Sequence, residues 1–205
     1  MAAHAVVHVV DDDESLRGAL DRLFRSVGLA TRSYGSAQDF VQAPRVDSPG
    51  CIVLDVRLPG MSGIEFQAQL ANLGIRMPVV LMTGHGDIPM SVKAMKAGAI
   101  DFLSKPFRDQ DMLDAVTAAI DRDRERRSAE SAAAGLAERF ATLSPREQQV
   151  MILVTAGKMN KQVAGELGIS EITVKIHRGA AMRKMGARTL ADLVRMAESL
   201  KLSAP

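Results

Sequence analysis

Over the first ~125 residues, short apolar runs alternate with longer stretches whose apolar residues recur at helical spacing. The runs fall at 6–10, 30–34, 51–54, 79–82 and 100–103, and the amphipathic stretches at 14–27, 36–43, 63–73, 87–97 and 109–120. Five βα repeats of this kind predict an α/β domain with a five-stranded parallel, doubly wound sheet. An all-apolar run such as Val79-Val80-Leu81-Met82 fits a strand buried on both faces.

From residue 121 the pattern changes. Asp121-Arg122-Asp123-Arg124-Glu125-Arg126-Arg127 is charged, and Ala, Ser and Glu dominate until Leu136, which predicts an exposed helical linker. No heptad of large apolar residues supports a coiled-coil seam there. The last ~65 residues carry no alternating pattern and read as an all-α domain of four helices. Ser144-Pro145-Arg146-Glu147 places a Ser N-cap, Pro at N1 and Glu at N3, a capping box. Asn160 is expected to cap a short second helix ending at Leu167, and Ser170 a third running to about Met185. Thr189 and Asp192 open a fourth with the stripe Leu190, Leu193, Val194, Ala197 and Leu200. A short helix, a glycine-containing turn and a longer basic helix predict a helix-turn-helix. The expected division is therefore 1–122, a linker at 123–141, and 142–205.

Composition adds exclusions. With 47% apolar and 24% charged residues, the 205-residue chain can bury a core and solvate its surface, which argues against wholesale disorder. No apolar run approaches the ~20 residues of a membrane-spanning helix, and Met1-Ala2-Ala3-His4-Ala5 lacks the basic start of a signal peptide. A cytoplasmic protein is expected. The lone Cys51 can form neither an internal disulfide nor a CxxC site and reads as a small core residue. Charge is split: residues 1–125 hold 13 basic against 17 acidic residues, and residues 126–205 hold 13 against 7. A basic second half points to nucleic acid as its partner.

Polar residues gather where strands end, the place where open α/β sheets build ligand sites. Asp11 and Asp12 follow the first run, Asp55 the third, Thr83 the fourth and Lys105 the fifth. A strand order of 2-1-3-4-5 would bring all five to one edge. Crowded carboxylates repel unless a cation joins them, and oxygen-only donors in an open site suit Mg²⁺. Asp55 can then serve as a nucleophile toward a phosphoryl group, with Lys105 and Thr83 stabilising its oxygens and Gly84 leaving room. Taken singly, Asp11, Asp12 and Asp55 are ordinary turn residues and Asp13 an N-cap; the joint placement carries the reading.

The residues that carry this pattern resemble a known family. Val9-Val10-Asp11-Asp12-Asp13, the stretch Leu54-Asp55-Val56-Arg57-Leu58-Pro59-Gly60-Met61-Ser62-Gly63, Thr83-Gly84-His85-Gly86-Asp87 and Lys105-Pro106-Phe107 resemble receiver domains of two-component response regulators. Leu143-Ser144-Pro145-Arg146-Glu147 and Thr173-Val174-Lys175-Ile176-His177-Arg178 resemble the LuxR-type DNA-binding domain. Nearly the whole chain is thus similar to FixJ/NarL-type response regulators. The resemblance implies Asp55 as phosphoacceptor and Asp11, Asp12 and Asp55 as Mg²⁺ ligands, with the Arg57 carbonyl as a further ligand. It implies a coupled switch of Thr83 and Phe102, the latter a Phe where many relatives carry Tyr, so no hydroxyl can bond there. Implied partners are a sensor histidine kinase, double-stranded DNA, RNA polymerase and, once phosphorylated, a second copy of the chain. His85 reads as a loop residue near the switch surface.

In the third helix, Val174, His177, Ala181 and Met185 share one face, which should pack inward. The opposite face carries Ile172, Lys175, Ile176, Gly179 and Arg183. Lys175 and Ile176 are placed to reach base edges, an exposed Ile being suited to a thymine methyl. Arg183 belongs to the same DNA-facing set, and Lys161, Thr173, Arg178 and Lys184 read as phosphate contacts. Gly179 costs roughly 0.5–1 kcal/mol of helix stability relative to Ala, a cost that close approach to DNA or simple drift would each explain. Met82, Met95, Met151, Met182 and Met185 read as packing residues. Two enzyme readings fall away. A phosphatase using an aspartyl nucleophile would need a second acid at the position of Arg57, and no GxxxxGK[ST] loop is present for an ATPase. The remaining alternative is a phosphorylation-dependent regulator that sequesters a partner protein; Lys175 and the basic charge speak against it.

Overall fold

Val6–Val10 forms β1, buried along its whole length because it runs through the middle of a sheet with neighbours on both edges. The computed structural model describes residues 5–84 and 88–202 and divides into two units, Met1–Arg127 and Ser128–Pro205. In the first unit the order is β1, α1 (Glu14–Ser26), β2 (Ala30–Tyr34), α2 (Ala37–Gln42), β3 (Gly50–Asp55), β4 (Arg57–Leu58), β5 (Met61–Ser62), α3 (Gly63–Leu70), β6 (Val79–Thr83), α4 (Ile88–Lys96) and β7 (Asp101–Ser104). Five strands pair in parallel as β2-β1-β3-β6-β7, the predicted 2-1-3-4-5 once the small antiparallel pair β4·β5 is set aside.

Alternation along the strands fills a core on each face of this sheet. Val7, Val9, Cys51, Val53, Val80 and Met82 meet Leu20 and Phe24 of α1 and Met112 and Val116 of α5 (Asp109–Ala141) on one side. On the other, Val10, Ile52, Leu54 and Leu81 meet Phe40, Phe66 and Leu70. Asp13 caps α1, accepting from the amides of Ser15 (2.8 Å) and Leu16 (3.1 Å). Cys51 is fully buried, and burial together with the charge of Asp123 pushes its thiol up to about 12, so it is inert packing.

Asp123 departs from the exposed reading of its charged segment. Its side chain is fully buried and accepts from the Gly50 amide (3.1 Å), from Arg126 (2.6 Å) and from Arg127 (2.9 Å). Arg127 also reaches Asp47. Gly50 is required here because a Cβ would stand 2.3 Å from the Val6 carbonyl oxygen. Residues 128–134 are exposed throughout.

The second unit packs α6 (Pro145–Thr155), α7 (Asn160–Leu167), α8 (Glu171–Met185) and α9 (Leu190–Ser199) around Val150, Met151, Val163, Val174, Ala181, Met185 and Leu193. The caps follow the sequence at Ser144 with Glu147, at Ser170, and at Thr189 with Asp192. Asn160 does not cap α7. Met159 holds that position, its amide donating to Gln162 Oε1 (2.8 Å), while the Asn160 carboxamide oxygen accepts from Arg178 (3.3 Å). A side chain taken by a neighbouring helix cannot fold back on its own backbone. Met95 also departs from its expected place: it is 47% exposed on α4. No helix of the described residues is long and apolar enough to cross a membrane.

His8 offers a test of this packing. It lies buried in β1 between the Tyr34 ring, stacked at 5.9 Å, and the edge-on ring of Phe40 at 5.5 Å. Burial, helped by the charge of Arg32, lowers its pKa to about 4. The unfolded chain, with an ordinary value near 6.5, binds the proton first, so the His8 contribution is intact above pH 6.5 and is lost as pH falls to about 4. The full loss is roughly 3 kcal/mol. Urea unfolding at pH 7 and pH 4.5 should show a drop in the wild type that is smaller by about 2 kcal/mol in His8→Phe; equal drops would contradict the buried neutral imidazole.

Candidate functional site

The parallel sheet sets its C-terminal edge as a row of strand ends. Asp11 follows β1 and is fully buried; its Oδ1 accepts from the Asp13 amide (2.8 Å), and its carbonyl accepts from Arg17 Nη1 (2.7 Å). Asp55 ends β3 on the adjacent strand, nearly buried, its Oδ1 accepting from the Arg57 amide (3.2 Å). Lys105 follows β7, and its Nζ donates to Asp11 Oδ2 (2.7 Å) and to Asp55 Oδ2 (2.9 Å). Its amide donates to the carbonyl of Thr83, which is itself fully buried at the end of β6. Asp12 remains exposed. Carboxylate oxygens of Asp11, Asp12 and Asp55 all lie within 4.8 Å of one another. The structure thus brings together Asp11, Asp12, Asp55 and Lys105 with Thr83 beside them, drawn from four strand ends.

Electrostatics favour a cation in this cluster. Burial raises the Asp11 pKa, and the hydrogen bond from Lys105 only partly offsets it. Burial would lower the Lys105 pKa, but its bonds to Asp11 and Asp55 outweigh burial and hold it above the ordinary lysine value, so the ammonium stays charged. One ammonium against three carboxylates leaves net negative charge, and the donors are all hard oxygens. That set fits an ion such as Mg²⁺ rather than a soft metal.

Two residues outside the expected site help build it. A Cβ on Gly63 would stand 2.1 Å from the Asp55 carbonyl oxygen, so only glycine lets α3 start against the end of β3. Arg17 holds the Asp11 backbone from α1. The end of the Leu54–Gly63 stretch marked the first; nothing in the pattern marked the second. Phe102 is half-buried on β7, in register with Leu81 and packed against the second core. Gly84 is exposed, and a Cβ there would meet nothing within 4 Å. His85 lies outside the described residues.

In the second unit, Val174, Ala181 and Met185 of α8 are fully buried and His177 is half-buried. Ile172 and Ile176 are 71% and 63% exposed. Lys161, Lys175 and Arg183 are exposed and form no ion pair among the described residues. The Thr173 hydroxyl lies 2.8 Å from that of Ser170. Lys184, expected as a phosphate contact, also has partners inside the unit: its Nζ donates to Glu147 Oε2 (2.7 Å) and to the Thr142 carbonyl (3.3 Å). That bond, with the Ser144 amide, holds the Glu147 carboxyl below its usual range. Lys184 therefore fastens the C-terminal turn of α8 to the start of α6, and Arg178 ties α8 to the start of α7.

Comparison with known proteins agrees with both units. Residues 7–117 match the response regulator receiver domain, and residues 141–197 match the luxR family of bacterial regulatory proteins. Nodulation protein W of Bradyrhizobium diazoefficiens is 60% identical over 200 residues, covering 98% of this chain and 88% of that protein. The transcriptional regulatory protein FixJ of Azorhizobium caulinodans is 47% identical over 191 residues, 93% of this chain and 90% of that one. A solved structure of the response regulator StyR superposes with a TM-score of 0.83 at 49% identity, covering 96% of this chain and 99% of StyR.

The Gly63 contact yields a stability contrast. Gly63→Ala forces a methyl into backbone and should cost about 2–4 kcal/mol in denaturant unfolding. Gly84→Ala, which meets open space, should stay within about 0.5 kcal/mol. A neutral Gly63→Ala would contradict the close approach of α3 to Asp55.

Proposed function

The chain belongs to the response regulators that join a receiver domain to a LuxR-type DNA-binding domain, and from that premise we propose that phosphorylation of Asp55 controls DNA binding by the second unit. The receiver family implies a sensor histidine kinase as phosphodonor, and the luxR family implies DNA as the ligand. The observation that carries the assignment of Asp55 is the Lys105 ammonium bridging it to Asp11 at the strand edge. A carboxylate oxygen of Asp55 attacks the phosphorus of a phosphohistidine; the new P–O bond forms as the P–N bond breaks, and the imidazole leaves with the electron pair. Lys105 then follows the negative charge onto the phosphoryl oxygens, and the Thr83 hydroxyl donates to one of them. Mg²⁺, held by Asp11, Asp12 and Asp55 with the Arg57 carbonyl as a further ligand, would neutralise charge on those oxygens.

Drawing Thr83 toward the phosphoryl group leaves space that Phe102 fills by turning inward, which changes the surface around α4 and β7. The repacked surface favours a homodimer or frees the DNA-binding domain, and DNA-bound dimers can then contact RNA polymerase. The working division is a receiver at 1–122, a helical linker at 123–141 and a DNA-binding domain at 142–205, in a cytoplasmic protein that is switched rather than one that turns over substrate. On DNA, Lys175 and Ile176 face base edges, while Lys161, Thr173, Arg178 and Arg183 lie along phosphates. Two such units span half-sites about 10 bp apart.

A small phosphodonor with Mg²⁺ should add one acid-labile phosphoryl group, blocked by EDTA and absent in Asp55→Asn; undiminished labelling of that variant would contradict the assignment. The two lysines of the helical unit should separate. Lys161→Ala should lower the slope of log affinity against log salt by about one. Lys184→Ala should leave the slope alone and lower the unfolding midpoint, because it breaks a brace worth about 1 kcal/mol. A lower slope with unchanged stability would return Lys184 to the phosphates.

A further inference from the structure

At 3.6 residues per turn, positions 172, 176, 179 and 183 of α8 fall within about 60° of one another. Val174, Ala181 and Met185, all fully buried, lie on the opposite side of the same helix. The outermost line of α8 is therefore Ile172, Ile176, Gly179 and Arg183. A line of this kind on a solvated helix should be polar throughout. Here two β-branched apolar side chains stand 71% and 63% exposed, one turn apart.

Gly179 continues the anomaly. An added Cβ would find nothing closer than Arg183 Nη1 at 3.6 Å, and the backbone there is ordinary helix. Nothing inside the unit requires glycine, yet it costs the helix roughly 1 kcal/mol relative to Ala. Both features, apolar tips and a bare patch behind them, are shaped for an object outside the unit. Charge identifies that object as a polyanion, since Arg183 on the stripe and Lys175 next to Ile176 are exposed and have no internal counter-ion among the described residues.

The one apolar group that double-stranded DNA presents in its major groove is the C5 methyl of thymine. Resting on the DNA-binding role argued above, we infer that Ile172 and Ile176 together read thymine methyls, and that Gly179 lets the helix lie deep enough for both to reach. Ile172 is thereby a specificity residue that neither the motif nor its charge marked. Four residues of helix rise span about 6 Å, against about 3.4 Å per base pair. The two thymines therefore lie one or two base-pair steps apart, on either strand.

The test uses the full-length phosphorylated protein and an operator selected from random duplexes. Each thymine of one half-site is replaced in turn by deoxyuridine, which removes only the methyl. The expected result is a loss of roughly four-fold in affinity for each methyl contacted, at two positions one or two steps apart. Ile172→Ala should abolish the sensitivity at one of them and Ile176→Ala at the other, each with an unchanged salt slope. Both sites are exposed, and Ala favours helix, so folding is preserved and is checked by circular dichroism. Gly179→Leu should reduce specific affinity at least ten-fold without lowering the unfolding midpoint. Tolerance of deoxyuridine at every position, or equal sensitivity in the wild type and both Ala variants, would overturn methyl reading while leaving DNA binding intact. A protein that selects no sequence would overturn the DNA-binding role and this inference with it.

Discussion

Three carboxylates held within 4.8 Å of one another repel, and a positive charge among them relieves that repulsion. In this protein Lys105 supplies it, reaching Asp11 and Asp55 from a strand end 94 and 50 residues away in sequence. The strand order makes this contact feasible. β1 and β3 are neighbours, so Asp11 and Asp55 lie side by side, and β6 and β7 bring Thr83 and Lys105 to the same edge. Gly63 and Arg17 then fix the two acidic strand ends from α3 and α1. A site built this way sets one ammonium between two carboxylates at the strand edge, the arrangement on which the proposed phosphoryl transfer rests.

The helical unit follows a different logic, in which part-exposed pairs brace one helix against two others. Lys184 with Glu147 and Arg178 with Asn160 fasten α8 to the first turns of α6 and α7. Arg139, near the end of α5, donates to the Met185 carbonyl at the last turn of α8. With α8 held from three directions, Ile172, Lys175, Ile176 and Arg183 stay exposed, and neither Lys175 nor Arg183 forms an ion pair among the described residues.

Periodicity exposed most of the architecture. Every strand of the parallel sheet lies within a residue or two of an apolar run, and Asp13, Ser144, Ser170 and Thr189 cap the helices they precede, because caps and alternation are local properties of the chain. What stayed hidden depended on distant partners. Asp123 lies in a run of charges, and only the start of β3, 73 residues earlier, explains its burial. Lys184 looks like any basic residue of a DNA-facing helix until the Glu147 carboxylate is found beside it. Asn160 has the chemistry of a cap but is drawn off by Arg178. Gly63 is one glycine among many until the Asp55 carbonyl appears 2.1 Å from its missing Cβ.

The central claim is that chemistry at Asp55 governs the outward stripe of α8. It is tested most directly by titrating one preparation of the full-length protein against its selected operator before and after treatment with a small phosphodonor and Mg²⁺, alongside Asp55→Asn. The account predicts that affinity changes several-fold in the wild type and not in the variant, with the salt slope preserved. Equal affinities for treated and untreated wild type, in a sample shown to be phosphorylated, would contradict it.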